Sequence, residues 1–145
     1  MLRHLFSRTA PSRTLPLINI PKLSEKEQFD LLRTELKDST TRGPMGELVM
    51  SLFGGDLSRV GLLFTISKDE YLAWARTLPI TSFVSTVPHT FDGDYLVQTD
   101  AGWSYYWQER GMKCAETTFA TENKAREFAY RNSSPYGIYK HLKSV

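Results

Sequence analysis

The sequence predicts an α+β fold: an antiparallel meander of three to four strands, a C-terminal helix packed on one face, and helices before it. Three observations carry this. Two capping boxes, Ser24–Glu27 and Ser67–Glu70, each open a stretch with helical apolar spacing. Turn signals at Asp100-Ala101-Gly102 and at Gly111 cut the region from Asp94 to Phe119 into three short extended segments. Thr121 then caps a last helix, with Glu122 in its first turn facing the positive end of the helix dipole.

The first 23 residues, MLRHLFSRTAPSRTLPLINIPKL, hold Arg3, Arg8, Arg13 and Lys22 and no acid. Leu2, Leu5, Phe6 and Thr9 share one helical face. This is the composition of a mitochondrial transit peptide, which places the chain on the matrix side if its source is eukaryotic. The other reading is a disordered basic tail on a cytoplasmic protein. A secretory signal is disfavoured because Arg8 and Arg13 interrupt its apolar stretch. Residues 24–145 are expected to form one domain, with 95–130 as its recognisable core.

Within that domain, Phe29, Leu32 and Leu36 mark the first helical face, and "STTRGP" reads as a loop. "MGELVMSLF" reads as a short helix stopped by Gly54-Gly55. "RVGLLFTIS" has the length and the Val, Ile and Phe content of a buried strand. Tyr71, Trp74, Ala75 and Leu78 form one face of the next helix, closed by Pro79. "DYLVQT", "WSYYWQER" and "KCAETTF" are the meander strands. Alternation points Trp103, Tyr105 and Trp107 one way, toward the Ala125/Phe128/Ala129 stripe of the last helix. It points Ser104, Tyr106 and Gln108 the other way, onto a face that earlier segments or a partner must cover. "YGIYKHLKSV" is left as a short tail.

Composition narrows the function classes. The chain is 145 residues long, 41% hydrophobic and 12% aromatic, which suits a folded single domain rather than a disordered one. The formal net charge of +2 is too small to indicate nucleic acid. The leader accounts for 4 of the 18 basic residues, so 14 remain against all 16 acidic ones and the rest carries a net −2. No apolar run is long enough for a transmembrane segment. Cys114 is the sole cysteine, so no intramolecular disulfide forms.

The run Trp103-x-x-Tyr106-x-x-Glu109-Arg110-Gly111, followed by Phe119 and Thr121-Glu122-x-x-Ala125, resembles a family of small bacterial domains assigned to the immunity proteins of polymorphic toxin systems. Members commonly read W-x-V-Y-Y-S-E-R-G, a spacer, then F-x-T-E-x-E-A-C. The match spans Tyr95 to Tyr130 without a gap. Trp107, Gln108 and Arg126 depart from the usual Tyr, Ser and Cys. The resemblance implies a sheet-plus-helix fold that binds and occludes a protein partner, without catalysis. A mitochondrial leader would imply that such a domain has been reused as an interaction module.

Residues that carry chemistry are sparse. Cys114 and His89 are the only nucleophile–base pair on offer, and "MKCAET" supplies no activating elbow or helix N-terminus. His4, His89 and His141 lack partners at ligand spacing. Asp92, Asp94 and Asp100 lack the order of a calcium loop and read as solvated turn carboxylates. Gly54-Gly55 is too short to cradle a phosphate. The aromatic stretch lacks the basic groove of a single-strand binder. Glu109 and Arg110 have two readings: an exposed pair that contacts a partner, or a turn in which Arg110 bridges to Glu122. The expectation is a non-enzymatic protein-interaction domain, an accessory subunit or small binding factor of a mitochondrial complex, without cofactor or metal. The alternative is a bacterial immunity-type protein. Tyr106, Gln108, Glu109 and Arg110 are the candidate partner-binding residues.

Overall fold

The computed structural model describes residues 20–37 and 43–144. The expectations for the leader and for most of the loop after the first helix fall outside those residues. In chain order the elements are α1 (Glu25–Lys37), α2 (Pro44–Phe53), a 3₁₀ segment (Leu57–Leu63), α3 (Lys68–Arg76), a 3₁₀ turn (Ile80–Ser82), β1 (Gly93–Thr99), β2 (Gly102–Glu109), β3 (Met112–Phe119), α4 (Glu122–Asn132) and a second 3₁₀ segment (Pro135–His141). The strands form one antiparallel sheet in the order β1-β2-β3. The α+β class, the meander and the C-terminal helix are therefore present as the sequence predicts. Among the described residues, no helix is long and apolar enough to cross a membrane.

The helices begin where their caps put them. Ser24 N–H donates to Glu27 Oε2 at 2.7 Å and Glu27 N–H to Ser24 Oγ at 3.1 Å, both halves of a capping box. Ser67 Oγ accepts from Glu70 N–H at the head of α3, and Thr121 Oγ1 from Lys124 N–H at the head of α4. Gly54 ends α2 in the left-handed region at φ 62°, where glycine carries no Cβ penalty.

The "RVGLLFTIS" expectation is corrected. Its first part is 3₁₀ helix, capped by Asp56, whose Oδ1 accepts from Ser58 N–H and Oγ–H. Its second part is extended but joins no sheet, because buried Gln28 of α1 takes its backbone. Gln28 Oε1 accepts from Thr65 N–H at 2.9 Å and Ile66 N–H at 3.2 Å, while Nε2 donates to Leu23 O and Thr65 Oγ1. The sheet thus has three strands, not four. The "YGIYKHLKSV" tail is also more than a tail: Ile138 and Leu142 are buried, and the segment packs on Leu57–Leu63, with His141 against Gly61.

All the helices share one face of the sheet. Leu96 and Tyr105 join the main core with residues of α1, α2, α3 and α4. Phe128 of α4 meets Tyr105 edge-on, with centroids 5.1 Å apart, and Phe119 at the same separation. Tyr95, Val97 and Tyr106 form a small separate cluster on the other face. Ser85 lies alongside β1, accepting from Leu96 N–H and donating to Asp94 O. β3 carries a bulge opposite Tyr106, where Ala115 adopts φ 52°.

Candidate interaction site

The four residues singled out from sequence do not form one surface. Tyr106 is 1% exposed and Gln108 6% exposed, so neither is presented to a partner. The chain covers them itself. Tyr106 stacks on Tyr95, and Lys113 Nζ lies 4.5 Å from its ring centroid. Gln108 Nε2 donates to His89 O at 2.8 Å and Phe91 O at 3.2 Å, tying the loop before β1 across this face. Ser104, also on this face, donates to Glu116 Oε1 at 2.7 Å.

Glu109 and Arg110 are exposed at the β2–β3 turn. Arg110 at φ 50° and Gly111 at φ 77° are both left-handed, the requirement of a two-residue turn matching strand twist. Arg110 N–H donates to Asp92 Oδ1 at 2.8 Å, which fastens the turn to the start of β1. The predicted bridge from Arg110 to Glu122 is corrected. Trp103 pairs with Phe119 at one end of the sheet and Glu109 with Met112 at the other, so Arg110 and the head of α4 sit at opposite ends. Glu122 pairs instead with Arg126, one turn along α4, at 2.9 Å.

The expectation that Trp103, Tyr105 and Trp107 form a uniform core face is corrected too. Tyr105 is buried and Trp103 half-buried, but Trp107 is 42% exposed. Helix α4 is 11 residues long, about 16 Å, whereas the eight residues of β2 extend about 27 Å. It starts next to Phe119 and does not reach the Arg110 end. Met112, 71% exposed, follows the same alternation onto that uncovered half-face. Sequence reasoning missed both residues, although this mismatch in element length was readable from it.

Beside Trp107 a cleft of about 470 Å³ opens, lined by Glu35, Phe83, Asp92, Asp94 and Ser133 among others. Its carboxylates are already used. Glu35, a buried residue of α1, accepts from Met45 N–H at the start of α2, at 2.9 Å. Asp94 accepts from Tyr105 Oη–H at 2.8 Å, and that hydroxyl lies 3.1 Å from Ser133 Oγ. Burial raises the Asp94 carboxyl above the usual carboxylate range; its bonds to Tyr105 and Ser133 only partly offset this. Asp94 is therefore a structural group, not the solvated turn carboxylate expected; Asp92 is exposed although it accepts from Arg110 N–H, and Asp100 is exposed in the β1–β2 turn.

Cys114 and His89 are not brought together. Cys114 is exposed and pairs with Trp107, so it lies on the helix-side face, whereas the His89 backbone crosses the opposite face. Among the described residues, no three His, Cys, Asp or Glu side chains are grouped so as to hold a metal ion. The chain matches no family model, no curated protein and no solved structure.

Proposed function

We propose that this chain is a non-enzymatic protein-interaction module, an accessory subunit or small binding factor, delivered to the mitochondrial matrix by its basic leader. The observation that carries the reading is the uncovered half-face at the Arg110 end, where Trp107 and Met112 are exposed beside Glu109 and Arg110. Adjacent exposed apolar side chains rimmed by charge mark contact surfaces, and Trp and Arg are favoured anchors there.

The test is the native size and company of the tagged full-length chain in extracts of its source. The expected result is one co-purifying protein at fixed stoichiometry, lost on Trp107→Ala together with Met112→Ser while the fold is kept. A bare monomer with and without these changes overturns the reading. Fusing residues 1–23 to a fluorescent reporter tests the address, and a diffuse signal overturns it.

A second reading, a bacterial immunity-type protein that neutralises a cognate toxin, is favoured by the Trp103-x-x-Tyr106-x-x-Glu109-Arg110-Gly111 spacing. A toxin gene beside this one, and protection of cells expressing both, would establish it in place of the first.

A further inference from the structure

A second accessible surface lies at the other end of the sheet. There α3, α4 and the end of β3 enclose a shallow groove of about 700 Å³. Its floor is aromatic: half-buried Phe119 and Phe128. Its walls are charged, and their pairing is uneven. Arg76 and Glu127 neutralise each other through two hydrogen bonds of 2.7 and 2.9 Å. Glu127 is held by Arg76 first and by Arg131 only at longer range. Elsewhere on α4, Arg126 is paired with Glu122. Lys124 and Arg131 are exposed and have no carboxylate within ion-pair distance among the described residues. The groove thus keeps two cations without a direct carboxylate partner, Arg131 feeling Glu127 only at longer range. Seven residues apart on one helix, they stand about 10 Å apart, two turns, on the stripe that also carries Phe128.

We infer that this groove binds a short acidic segment of a partner protein: two carboxylate side chains meet Lys124 and Arg131, and an apolar side chain between them rests on Phe119 and Phe128. Charge complementarity selects the sign of the ligand, and the aromatic floor selects an apolar residue flanked by acids. A polyanion fits less well. Residues 24–145 carry 14 basic against 16 acidic side chains, so the field of the whole domain opposes an extended chain of phosphates. A short segment meets only the local cations, and Arg131 can grip a carboxylate with two parallel N–H donors.

This site is separate from the Trp107 half-face, and the two fail independently. The experiment is an NMR titration of the ¹⁵N-labelled full chain with a capped peptide containing Glu-Leu-Leu-Glu. The expected result is amide shifts confined to Phe119 and the Asn123–Arg131 stretch of α4, with weak affinity that falls as salt rises. Lys124→Glu with Arg131→Glu should weaken binding at least about 10-fold, the effect of reversing two exposed pairs. Trp107→Ala should leave it unchanged. The same spectra report whether each variant is folded, and Lys124→Gln with Arg131→Gln, a gentler change, should give an intermediate loss. Three results overturn the inference: no shifts, equal shifts with a Lys-Leu-Leu-Lys peptide, or a response to inorganic phosphate or single-stranded DNA that the acidic peptide does not match.

Discussion

Tyr95 and Tyr106 lie face to face across β1 and β2, with ring centroids 5.1 Å apart and planes 7° from parallel. They are cross-strand partners and form, with Val97, the whole of the second core cluster. Tyr95 Oη–H donates to Phe91 O at 2.6 Å, so the stack also holds the loop that covers this face. Tyr106→Ala should cost about 3–4 kcal/mol, as large-to-small changes of buried aromatics do. Tyr106→Phe should stay within about 0.5 kcal/mol, because it keeps the ring and the stack. Urea unfolding measures both. A large loss with phenylalanine would show that the hydroxyl, not the ring, matters.

Arg110 is a non-glycine residue in the left-handed region, a conformation that asparagine tolerates better. Arg110→Asn should therefore raise stability by about 0.5–1 kcal/mol. Asp92→Ala should lower it by about 1 kcal/mol through loss of the bond to the Arg110 amide. Thermal unfolding reads both signs. Destabilisation by asparagine would mean that the arginine side chain holds the turn.

Gln28 satisfies two amides, the part-buried one of Thr65 and the buried one of Ile66, with one side-chain oxygen. Gln28→Leu keeps the volume but leaves both donors without acceptors, a loss of about 2–4 kcal/mol. Gln28→Glu keeps the acceptor but gives up the donations to Leu23 O and Thr65 Oγ1. Equilibrium unfolding of the leucine variant decides: a change under about 0.5 kcal/mol would mean that water replaces the amide.

The Asp94 carboxyl is raised by burial, so the folded state binds its proton more readily than the unfolded state. Its contribution to stability is full below the ordinary aspartate range, near pH 4, and is lost as pH rises through the folded value. Asp94→Asn keeps an acceptor for Tyr105 and removes the buried charge. It should be at least as stable as the parent at neutral pH, with a flatter stability–pH profile above pH 4. Parallel profiles for the two proteins would assign the pH dependence to other groups.

What was legible in the sequence was local. Ser24, Ser67 and Thr121 announce helix starts through short-range hydrogen bonds, and Gly102 and Gly111 announce the hairpins through backbone conformations that need no knowledge of the rest of the chain. The misreadings share a different cause. A short apolar run such as "VGLLF" has no period that separates a buried strand from a buried 3₁₀ turn. What decides it is Gln28, 37 positions before its partner Thr65. The candidate site failed for the same reason. Alternation sorted the faces of β2 correctly but could not say which was covered, because the cover over Tyr106 and Gln108 is an irregular loop at His89–Phe91, and the exposure of Trp107 follows from where α4 stops.

Strand addition is a recognition route that this sheet resists. On its β1 side Ser85 already occupies the backbone groups of Asp94 and Leu96. On its β3 side the Ala115 bulge bends the outer strand away from a straight ladder, and Lys113 adds a charge, two devices that discourage edge-to-edge pairing. On the proposed reading, a partner would therefore be recognised by side chains rather than by main chain. Those side chains (Trp107, Glu109 and Met112 at one end, Lys124 and Arg131 at the other) stand in solvent, where they are free to change without unsettling the core. Substitutions there should change the surface chemistry of the domain while its folding chemistry stays the same.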